Sequence, residues 1–144
     1  MGDRFQIRAT IAPMSDPEPN DRAAVFALAD TMFGAIEDGD IDALRAVYAD
    51  DIVVWANFDG IGQPLEKALR TVGWLISKLS DRQYDITRRE LIPGGFVQQH
   101  VLRGTAPDGT AVAMPACIIA TIADAKFTRV EEYLDPAGVA ALAR

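Results

Sequence analysis

The residue types able to do chemistry are few and concentrated. His100 is the only histidine of the chain. It sits in Phe96-Val-Gln-Gln-His-Val-Leu-Arg-Gly104, a stretch that reads as a β-strand. Side chains alternate along a strand, so Phe96, Gln98, His100 and Leu102 share one face. That face joins apolar groups to one amide and one imidazole, as a pocket wall would. Imidazole titrates near neutral pH and can both take and give a proton; a histidine merely satisfied on a sheet face is the bland reading. Two carboxylates, Glu131 and Glu132, lie in a second apolar strand near the C-terminus. Alternation puts Thr128, Val130, Glu132 and Leu134 on one side and Phe127, Arg129, Glu131 and Tyr133 on the other, and leaves open which set points inward. A carboxylate inside an apolar enclosure titrates higher than usual unless paired. Beside an imidazole it would make a general acid/base dyad. On an earlier strand Asn57 could donate to a developing oxyanion and Trp55 could wall a ring-shaped ligand. Met114, Ala116 and Ile118 would line the same hollow, Ala116 leaving room by its size, and Trp74 would close its mouth or cover the core.

Other chemistry finds little support. One histidine and one cysteine, Cys117, leave too few soft ligands for zinc or iron, so no metal is expected. Gly60-Ile-Gly62 lacks the strand-to-helix frame and third glycine of a phosphate cradle, and no cofactor is expected. Cys117 alternates away from Met114 and Ala116 and reads as an inert buried residue. A formal charge of −7 over 144 residues makes nucleic acid and anionic membrane poor partners. No run of about 18 apolar residues could span a bilayer. With no secretory pattern at the N-terminus, the cytoplasm is the default. Hydrophobic content of 49% with 24% charged residues suits one globular domain with a sizeable core.

The elements that must position these residues follow from pattern. Residues 1–20 hold Pro13, Pro17 and Pro19 without a clear period and read as a poorly ordered extension; an edge strand through Phe5, Ile7 and Ile11 is the other reading. Asn20 caps a first helix carrying Ala24, Leu28, Met32, Ala35 and Ile36 at helical spacing, ending at Asp38-Gly39. Asp40 caps a short second helix through Leu44 and Val47. A strand, Ile52–Asn57, and a loop at Asp59–Gly62 come next. Pro64 opens a third helix with Leu65, Leu69, Val72, Ile76 and Leu79 in one stripe. Four strands then alternate with tight turns at Pro93-Gly94-Gly95, Pro107-Asp-Gly109 and Asp124-Ala-Lys126, before a short helix from Pro136. Residues 21–144 form one α+β domain, with three N-terminal helices packed on one face of a curved, mainly antiparallel sheet.

Within that frame, Asp38-Gly-Asp40 with Leu44-Arg-Ala-Val-Tyr-Ala-Asp-Asp51 and Ile52-Val-Val-Trp resembles the helix-to-strand opening of nuclear transport factor 2-like proteins. Lys126-Phe-Thr-Arg-Val-Glu-Glu-Tyr-Leu-Asp-Pro136 resembles the closing strand of their SnoaL-like branch, and the resemblance covers roughly residues 21–142. It implies a cone-shaped fold with a strongly curved mixed sheet around an apolar cavity, and a homodimer formed through the sheet. It also implies kinship with polyketide cyclases, ketosteroid isomerases and limonene epoxide hydrolases. By resemblance the isomerase's general-base aspartate falls at Asn57, its tyrosine near Met32 and its second aspartate near Pro115. The epoxide hydrolase's aromatic and asparagine fall at Trp55 and Asn57, its closing-strand aspartate at Glu132, and its arginine and second aspartate at about Gln98 and His100. The cyclase's Gln-x-His matches Gln98-Gln99-His100. The resemblance thus selects Glu132 as the inward carboxylate.

The expected activity is cofactor-free acid/base chemistry (isomerisation, cyclisation, dehydration or hydrolysis) on a small apolar, oxygenated or ring-containing molecule. His100 and Glu132 would be catalytic; Trp55, Asn57, Gln98, Met114, Ala116 and Trp74 would bind substrate. The alternatives are a small-molecule carrier of the same shape and a structural dimerisation domain. An open cavity with His100 and Glu132 within hydrogen-bond reach favours the enzyme. The two held apart favour the carrier, and a packed cone favours the structural reading.

Overall fold

The computed structural model describes residues 19–143. The expected extension lies outside them except for Pro19 and Asn20, as does the alternative edge strand. Helix α1 runs Pro19–Asp38, α2 Ile41–Val47, strand β1 Tyr48–Ala56, β2 Gly62–Gln63 and α3 Leu65–Lys78. Strands β3 Ser80–Ile92, β4 Gly95–Thr105, β5 Ala111–Ala123 and β6 Lys126–Leu134 then lead to α4, Pro136–Leu142. The sheet order is β2-β1-β6-β5-β4-β3, antiparallel except where β1 lies parallel to β6. The fold is therefore α+β with a mixed, open six-stranded sheet, as expected. The difference is small: Gly62, expected as the end of a loop, and Gln63 pair with Trp55 and Val54 as a short edge strand.

Local chemistry explains the helix limits. Helix α1 already includes Asn20, so this residue is not its cap. Asp40 is a cap: its side chain accepts from the Ala43 amide at 3.0 Å. Between the two helices Gly39 turns the chain at φ 73°, a conformation that favours glycine. Pro64 precedes α3 and Asp135 caps α4 through the Ala137 amide. The buried side of α1 is Ala29, Met32, Phe33, Ala35 and Ile36. Ala24, expected on that stripe, is exposed, and Phe33 takes a place the spacing argument did not give it.

Two apolar clusters hold the layers together. The larger joins α1 and α2 to Ile52, Phe96, Ile118, Ala120, Phe127 and Val130 of the sheet. The smaller gathers Leu79, Leu102, Ala106, Val112, Met114 and Leu142 where α4 docks. Leu75 and Tyr84 pack against both. The clusters do not fuse, and a hollow remains between them.

Two irregularities of the sheet decide what faces that hollow. On β6 the register slips beside Thr128, so that Ile122 pairs with Phe127 and Thr121 with Arg129. Phe127 is therefore buried on the same side as Val130 despite the odd spacing. On β3 the register slips between Ile86 and Arg88. Tyr84 pairs with Leu102 and Arg89 with Gln98, a step of five residues on β3 matched to a step of four on β4. Thr87 occupies the slip and donates its hydroxyl to the Gln99 carbonyl at 3.0 Å.

Candidate active site

The hollow has a volume of about 160 Å³ and apolar walls. Met32, Phe33 and Ile36 of α1 and Val72 and Leu75 of α3 close one side. His100, Met114, Ala116, Ile118, Val130 and Glu132 of the sheet close the other. Val139 and Leu142 of α4 form one end. There Gly138 lies against Met114; a Cβ on it would come within 2.7 Å of the Met114 Cγ. Trp74 and Phe58 line the hollow while remaining 37% and 47% exposed, which places them at its mouth.

His100 is 2% exposed. Phe33 meets its ring edge-on at 5.4 Å and Tyr84 at 4.9 Å between centroids. Its Nδ1 lies 2.8 Å from the amide nitrogen of Gln98, which is fully buried. Burial first, then the nearby Arg89 cation, push His100 down to about 4. The ring is therefore neutral at physiological pH. Gln98 Oε1 accepts from Arg89 Nε at 2.8 Å, and Arg89 Nη1 donates to Asp30 Oδ1 at 2.7 Å. The guanidinium is otherwise wrapped in the rings of Phe26 and Phe96, at 5.3 and 5.8 Å. Its Nη2 is buried without a hydrogen-bond partner.

Glu132 reaches the hollow from β6, and the surface it retains is cavity wall. Among the described residues no donor or cation meets its carboxylate. Burial pushes it up to about 7. Tyr48 and Tyr84 also line the hollow, and neither hydroxyl has a hydrogen-bond partner among the described residues. Burial and then the Glu132 charge raise both above the usual phenol range.

The strand register measures the separation of the two titrating groups. Glu132 pairs with Ile118, Ile118 with Gln98 and Gln98 with Arg89, one row across the sheet. His100 belongs to the next row, opposite Ala116. Two strand spacings, roughly 9–10 Å, and an offset of two residues along the strands, roughly 7 Å, separate the backbones carrying the imidazole and the carboxylate. They do not form the expected dyad: the partner of His100 is Gln98, and Glu132 stands two strands away on the same wall of the hollow.

Of the other expected residues, Met114, Ala116 and Trp74 line the hollow, and Gln98 stands behind His100. Trp55 does not line it. Val54 faces in, so Trp55 turns to the reverse side of the sheet and stacks edge-on with Tyr133 at 5.3 Å. Asn57 is also outside the lining: its Oδ1 accepts from the Leu134 amide and its own amide donates to the Glu132 carbonyl, both at 3.0 Å, extending the β1–β6 pairing. An oxyanion role for it has no geometric basis. Cys117 is a free thiol, half-buried on the reverse face. The spacing argument missed Tyr48, Tyr84 and Arg89. The two tyrosines sit at even positions shared with Ile52 and Val54 on β1 and opposite Leu102 on β4, a signal that was present. Arg89 was hidden by the register slip. No group of three or more potential metal ligands occurs among the described residues, and no described helix is long and apolar enough to cross a membrane.

The profile of the SnoaL-like domain family matches residues 29–130. The chain belongs to this family, and the expected nuclear transport factor 2-like architecture holds. No curated protein matches it. Among solved structures it is similar to a provisionally assigned SnoaL-like polyketide cyclase from Jannaschia sp. CCS1, at 17% identity and a TM-score of 0.74 over 90% of this chain and 97% of that one. An LEH-like epoxide hydrolase from M. tuberculosis superposes with a TM-score of 0.68 at 14% identity, covering 85% of this chain and 91% of the other. A hypothetical protein with a ketosteroid isomerase-like fold from Catenulispora acidiphila, solved with trimethylamine, gives 0.70 at 15% identity over 81% and 92%. At such identities the likeness shows a shared fold.

Proposed function

We infer that the protein is a cofactor-free enzyme acting by proton transfer on a small, largely apolar, oxygenated molecule held in the hollow. Glu132 is the general base and later the acid. Neutral His100 holds the substrate oxygen on which charge develops, with the Tyr48 and Tyr84 hydroxyls as further donors. Gln98 orients the imidazole. One observation carries this reading: a carboxylate without counter-ion, poised near 7, and a neutral imidazole border the same apolar cavity two strands apart. A base and an oxygen-binding group two strands apart on one wall leave room for a substrate that reaches both, which a contacting pair would not. The fold alone would not support an activity, because it is shared by proteins of different chemistries.

The separation of His100 from Glu132 is the arrangement expected of a non-catalytic carrier, and the unpaired carboxylate is what speaks for the enzyme. A thermal-shift screen of neutral ring compounds bearing a carbonyl, ether or epoxide, followed by turnover assays on those that bind, separates the two readings. Turnover lost in Glu132→Gln while binding persists supports the enzyme. Binding without turnover in the wild type supports the carrier. The expectations of a homodimer formed through the reverse sheet face, where Tyr133 remains 42% exposed, and of a cytoplasmic location belong to the same proposal. Light scattering of the purified chain tests the former.

A further inference from the structure

We propose that Arg89, anchored by Asp30, acts through Gln98 as a positioning residue that locks His100 in its Nε2–H tautomer, so that the ring offers the hollow a donor and not a lone pair. The proposal deepens the function inferred above and rests on the hollow being the site.

The hydrogen-bonding roles of these groups cannot be exchanged. A guanidinium has donors only. Arg89 Nε therefore fixes which end of the Gln98 amide is oxygen, at 2.8 Å. The amide nitrogen is left facing His100 Nδ1, also at 2.8 Å. An amide NH₂ donates and cannot accept, so Nδ1 accepts and the single proton of the neutral ring resides on Nε2. Nε2 has no hydrogen-bond partner among the described residues, and the ring borders the hollow. Turning the Gln98 amide over would set its NH₂ against the guanidinium, donor against donor. The guanidinium itself is held: its side chain is 10% exposed, Asp30 accepts from it at 2.7 Å, and it lies against Phe26 and Phe96. The other groups packed on the imidazole, Phe33 and Tyr84 by their rings and Ala116 across the strand pair, do not compete for Nδ1. Arg89 is the charge that acts on the ring, Asp30 pairs with it, and Glu132 borders the same hollow.

The chemical consequence is specific. An Nε2–H edge recognises a carbonyl, ether or epoxide oxygen and stabilises negative charge developing there. It cannot abstract a proton in that state. Proton abstraction falls to Glu132, and the ligand atom seated at His100 is a hydrogen-bond acceptor.

Because His100 is the only histidine, long-range ¹H–¹⁵N NMR of the ligand-free full chain reports this ring alone. At pH 7 the wild type is expected to show a pyrrole-type Nε2 and a pyridine-type Nδ1. Arg89→Met frees the amide to turn and moves the Nδ1 signal toward the average of the two tautomers. Gln98→Glu presents an acceptor to Nδ1, transfers the proton there and raises the pH at which the ring becomes imidazolium. A wild-type Nδ1–H tautomer, an imidazolium at pH 7, or an unaltered spectrum in Arg89→Met overturns the proposal. Should Arg89→Met fail to fold, the wild type and Gln98→Glu still decide. No substrate enters the measurement. A wrong tautomer thus removes this inference and the donor role of His100 but leaves Glu132 as base in the hollow, whereas the right tautomer in a chain without turnover removes the catalytic reading alone.

Discussion

Glu132 and His100 are displaced in opposite directions by the same cause, loss of water around the charged form. The signs have consequences for stability. For Glu132, up at about 7 against an ordinary 4.5, the folded state holds the proton more tightly than the unfolded chain. Its contribution is favourable below pH 4.5 and is lost as pH rises through 7, by about 3 kcal/mol at most. For His100, down at about 4 against 6.5, the contribution is present above pH 6.5 and lost as pH falls through 4. Between pH 4.5 and 6.5 the two slopes oppose each other. Glu132→Gln should therefore stabilise the fold at pH 8, by up to about 3 kcal/mol, and change little at pH 4; urea melts at both pH values check this. The same variant should lower turnover by about 10²-fold or more. A residue that weakens the fold at working pH while sustaining activity is functional; equal melts at pH 8 would show Glu132 to be solvated. For the wild type, kcat/KM should rise with pH through about 7 as the carboxyl ionises, and a rate flat from pH 5 to 9 would remove Glu132 as the base.

At the scale of elements, one arginine joins three of them. Arg82 at the start of β3 donates to the carbonyls of Ile36 and Glu37 at the end of α1, at 2.8 and 3.1 Å. It also donates to Ile76 and Leu79 around the end of α3, at 3.0 and 2.6 Å. Carbonyls at two helix ends, of which that of Ile36 also accepts from the Gly39 amide, thus share one cation, favourably placed for both dipoles. Glu37 answers by accepting from the Tyr84 amide at 2.9 Å. Arg82→Ala should lower the unfolding free energy by about 2–4 kcal/mol. Arg82→Lys should recover little of it, because an ammonium cannot span two helix ends. Chemical denaturation measures both.

The elements were legible because their punctuation is strong: Asp40, Pro64, the glycine turns and Pro136 all end or begin segments where the sequence places them. His100 and Gln98 were legible because β4 alternates without interruption from Phe96 to Leu102. Glu132 needed the resemblance, since the slip at Thr128 makes Phe127 and Val130 face the same way and spoils the count along β6. Arg89 was illegible for the same reason on β3: from Tyr84, alternation points Arg88 inward. Trp55 was misplaced because an aromatic on a first strand was matched by position, while Val54 holds the inner face. Asn57 looked like a donor to substrate, but the Leu134 amide at the end of β6 claims its oxygen and it lies outside the lining.

For the molecule as a whole, the hollow is the gap between two cores, kept open by small residues on its wall. Ala116→Leu should fill it opposite His100. Thermal stability should hold within about 1 kcal/mol or rise, since added methyls meet empty space and not packed neighbours. The thermal shift given by any ligand of the wild type should vanish. A retained shift would place the ligand elsewhere.

The extra residue in β3 also separates two things that mutation usually confounds. Removing Thr87 would shorten the five-residue step from Tyr84 to Arg89 to four, equal to the step on β4 from Leu102 to Gln98. Every side chain bordering the hollow would keep its identity and its neighbour across the ladder, while the bend that the surplus residue imposes would relax. A one-codon deletion thus alters the curvature of the sheet at constant chemistry, and any change in ligand preference that follows would belong to shape alone.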